Sequence, residues 1–529
     1  MELRPARSFV RHPPQILIKR KAGKALELSL TENNSWTTFF AMNRLQARRI
    51  ASPQEIHRAA HLRKPRRILS RRRPMATSSG PKPLRAFENS TKGEGGGKLA
   101  NTQDDVLGGA LLVGATLLGL TWANSPWAQS YEALWHIPLS IALGDLVLER
   151  SLLHWINDGL MAMFFFVAGL EIKREFLVGE LSSVRAASLP VLCAVGGMLV
   201  PALCYVTTVT MMDGTDLVIE GWGIPMATDI AFALGLFAIV SRKAPPALRI
   251  FLLSLAIVDD LGAVLVIAMF YTSDLSITSL SAGGGFLAAL IIANVAGIRH
   301  SLVYGALGIG GLWIAFLISG VHPTVAGVLA AFAIPARPHF DRQEFVRRGA
   351  HLLTTFHKAG QVEDSPLANP AQAEAARKLE RASDLAQTPL QRLEHALRPW
   401  TLLVIMPLFA LSNAGVSIDV DTVKALSSAV PLGILAGLVI GKPFGIAVTA
   451  WLAVRSGLTS LPEGVSFSHI HAIAWLGGIG FTMSLFIANL AFGTAEHLAN
   501  AKVAVLVGST ACAFLGSLLL RRSSASSNT

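Results

Sequence analysis

The sequence is short of charge and of cysteine. Only 15% of its 529 residues are Asp, Glu, Lys or Arg, whereas an ordinary globular domain has about a quarter. Apolar residues make up 52% of the chain, which excludes a disordered protein and an ordinary cytosolic enzyme. Cys193, Cys204 and Cys512 lie inside apolar segments with no paired metal-ligand spacing. That excludes a secreted disulfide scaffold and suggests no zinc site, and the three read as small core residues. Acidic residues are scarce at the start: residues 1–100 hold 22 Lys and Arg against 6 Asp and Glu, and the remainder 24 against 28. The formal net charge of +12 therefore belongs to the leader.

Basic runs such as Arg63-Lys64-Pro65-Arg66-Arg67 and Arg71-Arg72-Arg73-Pro74 have no apolar periodicity, so residues 1–104 are expected to be a basic, disordered extension. The extension lacks the apolar core of a secretory signal. Two readings stay open: an organelle transit peptide, or a true start at Met75 with 1–74 as upstream sequence. A nucleic-acid-binding arm is a third, but no aromatic interleaving or recognisable fold accompanies the charge, and nucleic acid is not an expected partner.

What the chain has in abundance is apolar runs of about twenty residues, enough to cross the roughly 30 Å hydrocarbon core of a bilayer. They fall at 106–124, 152–172, 186–210, 222–241, 247–271, 276–297, 301–319, 322–335, 400–416, 428–451, 470–492 and 500–520. The expected fold is therefore an all-α polytopic membrane protein with twelve transmembrane helices over residues 105–521 and a tail, 522–529, embedded in membrane lipid. Lys173, Arg174, Arg185, Arg242, Lys243, Arg249, Arg299 and Arg455 all fall in even-numbered connections, together with the charged stretch 337–398. The odd-numbered connections are nearly free of Lys and Arg, which puts both termini in the cytoplasm or its topological equivalent. The first connection, 134–150, alternates around Gly144-Asp145 and suits a small β-hairpin on the outer face, able to pair with a copy of itself. The stretch 337–398 reads as part helix and part linker.

Four charges interrupt the apolar runs. Asp229, the adjacent Asp259 and Asp260, and Lys442 sit near the middle of their spans. Unpaired at helix centres they would cost about 10 to 14 kcal/mol together. A structural salt bridge accounts for one aspartate with Lys442 and leaves the other carboxylates without partners. Neighbours on a helix point about 100° apart, so Asp259 and Asp260 can face different partners across one cavity. Two carboxylates with nearby hydroxyls or carbonyls supply the oxygen ligands that a hard monovalent cation requires. Burial and a like charge favour the protonated acid, whereas a nearby ammonium favours the carboxylate, so such a site holds either protons or a metal cation. Gly477-Gly478-Ile479-Gly480 breaks one span, and Pro225 and Gly235 flank Thr228-Asp229 in another. Paired discontinuous helices mark a transporter's midplane site, where Asp229 would compensate positive N-terminal helix ends and Lys442 negative C-terminal ends. A glycine-packed unbroken helix is the alternative for 477–484.

Longer strings carry a resemblance. Leu153-His154-Trp155-Ile156-Asn157-Asp158-Gly159-Leu160, Gly169-Leu170-Glu171-Ile172-Lys173-Arg174-Glu175, Ala227-Thr228-Asp229-Ile230-Ala231-Phe232, Asp259-Asp260-Leu261-Gly262, Ser319-Gly320-Val321-His322, Pro407-Leu408-Phe409-Ala410, Gly441-Lys442-Pro443 and Gly480-Phe481-Thr482-Met483-Ser484 stand in one order. In these the chain resembles the NhaA family of sodium/proton antiporters over residues 105–521. The resemblance implies inverted-topology repeats, two crossed discontinuous helices and exchange of Na+, and of Li+, for H+ by alternating access, with pH regulation and no cofactor or enzymatic activity. It implies that Asp260 is the main sodium ligand and Asp259 the second, a proton carrier able to pair with Lys442. Asp229, Thr228 and Lys442 would lie at the helix crossing and Asp158 in the cavity. Glu171, Glu175, Glu394, His395 and His322 would serve the pH response, although Glu171 and Glu175 also suit an ordinary charged helix end and His322 a span cap. The resemblance further implies a homodimer through the 134–150 hairpin and a bacterial plasma membrane, or an organelle membrane if the leader is a transit peptide. Arg398 stands where the family's reference members have a second histidine, and the loop before it is longer. A sodium-coupled solute symporter and an intramembrane aspartyl protease are the rival readings; the adjacency of Asp259 and Asp260 argues against the protease, whose dyad takes its carboxylates from separate helices.

Overall fold

The computed structural model describes residues 95–143, 146–212, 219–241, 244–272, 275–360 and 369–526. The basic leader and most of the N-terminal extension lie outside the described residues, as do Gly144-Asp145, Arg242 and Lys243. Helices dominate. Among the described residues nine are long and apolar enough to cross a membrane, and a tenth span arises if Phe467–Gly477 and Phe481–Ala491, bent by 43°, count as one. Ser301–Leu317 and Pro323–Ala333 are apolar but shorter, and the positive φ of Gly320 (87°) turns the chain between them. The expected boundaries missed this because an apolar run records composition and not helix length: eleven residues rise only about 16 Å.

The helices that build the interior are α1 (Gly95–Ala123), α2 (Ala128–Trp135), α3 (Leu152–Val178), α4 (Val184–Met211), α5 (Ile230–Val240), α6 (Pro246–Phe270), α7 (Ile277–Val295), α8 (Ser301–Leu317) and α9 (Pro323–Ala333). After the connection come α10 (Arg342–Gly360), α11 (Pro370–Ala386), α12 (Pro389–Asn413), α13 (Ala429–Arg455), α14 (Phe467–Gly477), α15 (Phe481–Ala491) and α16 (Ala495–Ser526). Their starts follow local chemistry. Proline is at the first helical position of α6, α9, α11 and α12, where its missing N–H costs nothing. Ser183 caps α4, and Thr388 with Gln391 forms a reciprocal capping box on α12.

The stretch 337–398 is largely helical, its helices α10 and α11 packing against each other before α12 begins. The hairpin is present as β1 (Pro138–Leu143) and β2 (Leu146–Ser151), antiparallel with Leu139 opposite Arg150 and Ile141 opposite Leu148. Behind it Tyr131 of α2 donates to the Leu411 carbonyl (2.8 Å) and accepts from the Gly415 amide (3.1 Å), and burial pushes its phenol up to about 12. The tie therefore persists at any physiological pH.

Close backbone packing carries the interior. A Cβ at Gly441 would stand 2.7 Å from the Pro201 Cα, so only glycine lets α13 lie against α4 at that point. Among the described residues four π-helical turns interrupt the spans: Trp155–Leu160, Gly308–Trp313, Thr401–Ile405 and Ala436–Gly441. The last delivers the chain to Lys442, and the first contains Asp158. Among the cysteines Cys193 and Cys512 are buried and Cys204 is half-buried, all as free thiols.

Candidate functional site

Two interrupted helices meet at the centre. A 3₁₀ segment, Glu220–Met226, ends at Pro225-Met226, the chain runs extended through Ala227, Thr228 and Asp229, and α5 begins at Ile230. On the other element α14 stops at Gly477 and α15 restarts at Phe481. The breaks are laced together: the Asp229 amide donates to the Ile479 carbonyl (2.7 Å), and Ser484 Oγ donates to the Ile224 carbonyl (2.7 Å).

Each break exposes helix ends, and the charged residues sit on them. Asp229 Oδ1 accepts from the Phe232 amide (3.0 Å) at the start of α5. Its Oδ2 accepts from the Thr482 amide (3.1 Å) and hydroxyl (2.5 Å) at the start of α15. One carboxylate thus meets the positive ends of two helices. The Lys442 ammonium donates to the Met226 carbonyl, at the end of the 3₁₀ segment, and stands 2.8 Å from Asp259 Oδ2. Thr228 Oγ1 lies between that oxygen (2.5 Å) and the Gly477 carbonyl (2.9 Å), and its single proton serves one of them at a time. Thr228, Asp229, Asp259, Asp260 and Lys442 are all buried.

Asp260 differs from the rest. Both of its carboxylate oxygens, and Oδ1 of Asp259, are buried with no hydrogen-bond partner. Leaving an ionised carboxylate in that state costs several kcal/mol, which a proton or a cation removes. Asp260 borders a cavity of about 50 Å³ whose other lining residues include Ala231, Leu234, Phe164, Thr401, Glu171, Asp105 and Arg398.

The remaining candidates fall into two groups. His322 caps α9 and places Nε2 3.5 Å from Asp158 Oδ1, while its Nδ1 meets Thr324 Oγ1 at 2.7 Å. Nothing in the sequence joins Asp158 to His322. At the end of α3, Arg174 pairs with Glu394 and with Glu175 (3.2 Å), and Glu171 lies 3.9 Å from Arg398 Nε. His395 is exposed and takes no part in these ion pairs.

Several residues here escaped the sequence reading. Asp105 accepts from Arg398 (3.0 Å) and from Arg249 (2.5 Å), yet as the first charge before an apolar run it looks like any span end. Arg174 and Arg249 look in the sequence like ordinary charges at span ends. Thr482 stands in Gly480-Phe481-Thr482-Met483-Ser484, where nothing in the sequence sets it apart from its neighbours. An amide chain, Asn489 to Asn413 (2.9 Å) to Asn157 (2.9 Å), joins three helices and had no signal beyond three polar residues in apolar surroundings.

Helices broken at mid-span, with buried charges on the exposed ends, define a polytopic helical membrane protein of the transporter class. The chain belongs to the Na+/H+ antiporter 1 family, whose match covers residues 100–520. It is 47% identical over 392 residues to the Na(+)/H(+) antiporter NhaA of Oleidesulfovibrio alaskensis, covering 74% of this chain and 86% of that protein. The Na(+)/H(+) antiporter NhaA of Acidithiobacillus ferrooxidans is 47% identical over 417 residues, 78% of this chain and 94% of its own length. That of Syntrophobacter fumaroxidans is 48% identical over 391 residues, covering 73% and 82%.

Proposed function

We propose that this chain, with residues 105–521 as its transport domain, exchanges Na+, and also Li+, for H+ across a membrane, and that Asp260 and Asp259 carry the exchange. The observation that supports this most directly is the set of three buried carboxylate oxygens without donors on two adjacent aspartates. A sodium ion binding there takes the place of protons, and protons returning displace the ion. Asp260 is the main ligand and Asp259 the second. When Asp259 gives up its ion it pairs with Lys442, and the pair opens as the cation returns. Exchange of more than one proton for each Na+ makes the cycle electrogenic.

Asp229, Thr228 and Lys442 compensate the helix ends so that the breaks persist in a medium that cannot hydrate them. Alternating access then comes from one helix bundle rocking against the other around the site. We count Ser301–Leu317, Pro323–Ala333 and the bent pair as crossings, which makes twelve, arranged as inverted repeats with both termini in the cytoplasm. The plasma membrane of a bacterium is the compartment that fits the relatives. Ile141 is 52% exposed on the hairpin, an apolar contact suited to a second copy, and we take the protein to be a homodimer there. Asp158 with His322, and Glu171, Glu175, Glu394 and His395, set the pH response. For the protease reading, Asp259 has an ammonium and a hydroxyl as its nearest partners, a poor setting for a shared-proton dyad.

Proteoliposomes with an imposed proton gradient test the reading. Added Na+ or Li+ collapses the gradient in the native protein and fails to do so with Asp260→Asn; no collapse at any pH, in protein shown to be inserted, would sink it.

A further inference from the structure

Around the mouth of the cavity beside Asp260, Arg174, Arg249 and Arg398 all face carboxylates. The hairpin of α10 and α11 does not balance its charge in this way. Between its two helices lies a cavity of about 610 Å³, within the range of ~300 to 1,000 Å³ usual for small-molecule sites. Arg347, Arg348, His351, Lys378 and Arg381 line it, and among the described residues Glu344 is its one acidic lining residue. The sequence of α11 mixes both signs, with Glu374, Glu380 and Asp384 beside Arg377, Lys378 and Arg381. Of these six only Lys378 and Arg381 line the cavity. The three acids all point elsewhere.

Two of the cations are already aimed. Glu344 accepts from both Arg347 and Arg348, and the Arg348 guanidinium stands over the Phe340 ring, 4.2 Å from its centroid. Lys378 is 2.8 Å from Glu374, one turn earlier on its own helix, and Arg381 has no ion pair among the described residues. Like charges gathered on facing helices repel, and an anion between them removes that cost. Guanidinium forks match the oxygens of phosphate with paired hydrogen bonds, which a carboxylate such as Glu344 imitates. We propose that this cavity binds a small phosphorylated anion with at least two phosphate groups, held by Arg347, Arg348 and Arg381 with Lys378 as a further point charge. The apolar side chains that α10 exposes, Val346 and Leu353, lie about 140 to 160° round the helix from His351. Lipid covering them leaves the cavity facing water, which favours a soluble anion over a headgroup. Gln387 and Thr388 lead from α11 into α12, and the His339 and Phe340 amides donate to the Leu385 carbonyl (3.0 and 3.3 Å). An anion that bridges α10 and α11 therefore stiffens the approach to the span that carries Glu394 and Arg398. The site does not depend on the exchange proposed above.

The test is calorimetric titration of inorganic pyrophosphate into the full chain in nanodiscs of phosphatidylcholine. The basic leader is present in every sample, so the comparison lies between variants of the hairpin. Lys378→Gln with Arg381→Gln is expected to weaken saturable binding at least about tenfold, whereas Arg377→Gln, on the same helix but outside the cavity, leaves it unchanged. Glu344→Gln removes the competing carboxylate and is expected to tighten binding about threefold, a gain that a damaged fold does not produce. Inorganic monophosphate binds at least about tenfold more weakly than pyrophosphate. Phosphatidylglycerol placed in the disc distinguishes the source: unchanged pyrophosphate affinity assigns the site to a soluble anion, and competition assigns the same cavity to lipid headgroups. Pyrophosphate binding that is equal in the native, doubly substituted and Glu344→Gln proteins belongs to the leader and overturns the proposal, as does the absence of saturable binding.

Discussion

The crossing and the mouth handle charge in opposite ways. At the crossing, Asp229, Lys442 and Asp259 are fully buried, and their partners are mostly helix ends and hydroxyls: two amides, a carbonyl, Thr482 and Thr228. At the mouth, Arg174, Arg249 and Arg398 are about a third exposed and pair with carboxylates. In the first region charge compensates broken backbone where water cannot; in the second it joins helices that water already reaches. Asp260 belongs to neither pattern, because its oxygens are buried and have no donor. On the exchange proposed above, a residue outside both schemes is the one left to the cargo.

Substitutions that remove one side of each arrangement separate the two regions. Asp260→Asn is expected to produce the largest effect, a loss of Na+-dependent exchange of at least about a hundredfold at preserved thermal stability, measured in proteoliposomes; the amide is isosteric but cannot carry charge. Lys442→Ala strands the Asp259 carboxylate and is expected to destabilise the protein by about 3 to 5 kcal/mol, read as a lowered melting temperature in detergent. Thr482→Val removes a hydroxyl from Asp229 while leaving the amide bond, and about 1 to 3 kcal/mol follows by the same measurement. Removing the Thr388 cap with alanine loosens the start of α12 by about 1 kcal/mol. Arg174→Gln is expected to change stability least, by less than about 1 kcal/mol, because the pair is partly solvated; a loss as large as that of Lys442→Ala would erase the distinction drawn between crossing and mouth.

The crossing was legible in the sequence because charge inside an apolar run has no ordinary explanation. Asp229, Asp259, Asp260 and Lys442 each stood out by position alone, and the two helix breaks were marked by proline and glycine. The mouth was legible only in part. Asp105, Arg174 and Arg249 sit where any span end carries charge, and what makes them notable is the company they keep across α1, α3, α6 and α12, which hydropathy does not encode. The meeting of Asp158 and His322 is of the same kind. The four π-helical turns left no trace either, since one extra residue in a helical turn changes the facing of side chains without changing the apolar count.

The Asp229 clasp has a mechanical side. Each of its oxygens grips the end of a different half-helix, so the ends of α5 and α15 cannot drift apart, yet hydrogen bonds to a single small group resist rotation weakly. The arrangement is a ball joint: translation at the centre is forbidden and tilting is cheap. Levers on such a pivot swing their far ends in opposite senses, so a gap that opens at one surface is matched by closure at the other, and an open channel from face to face requires the joint itself to break.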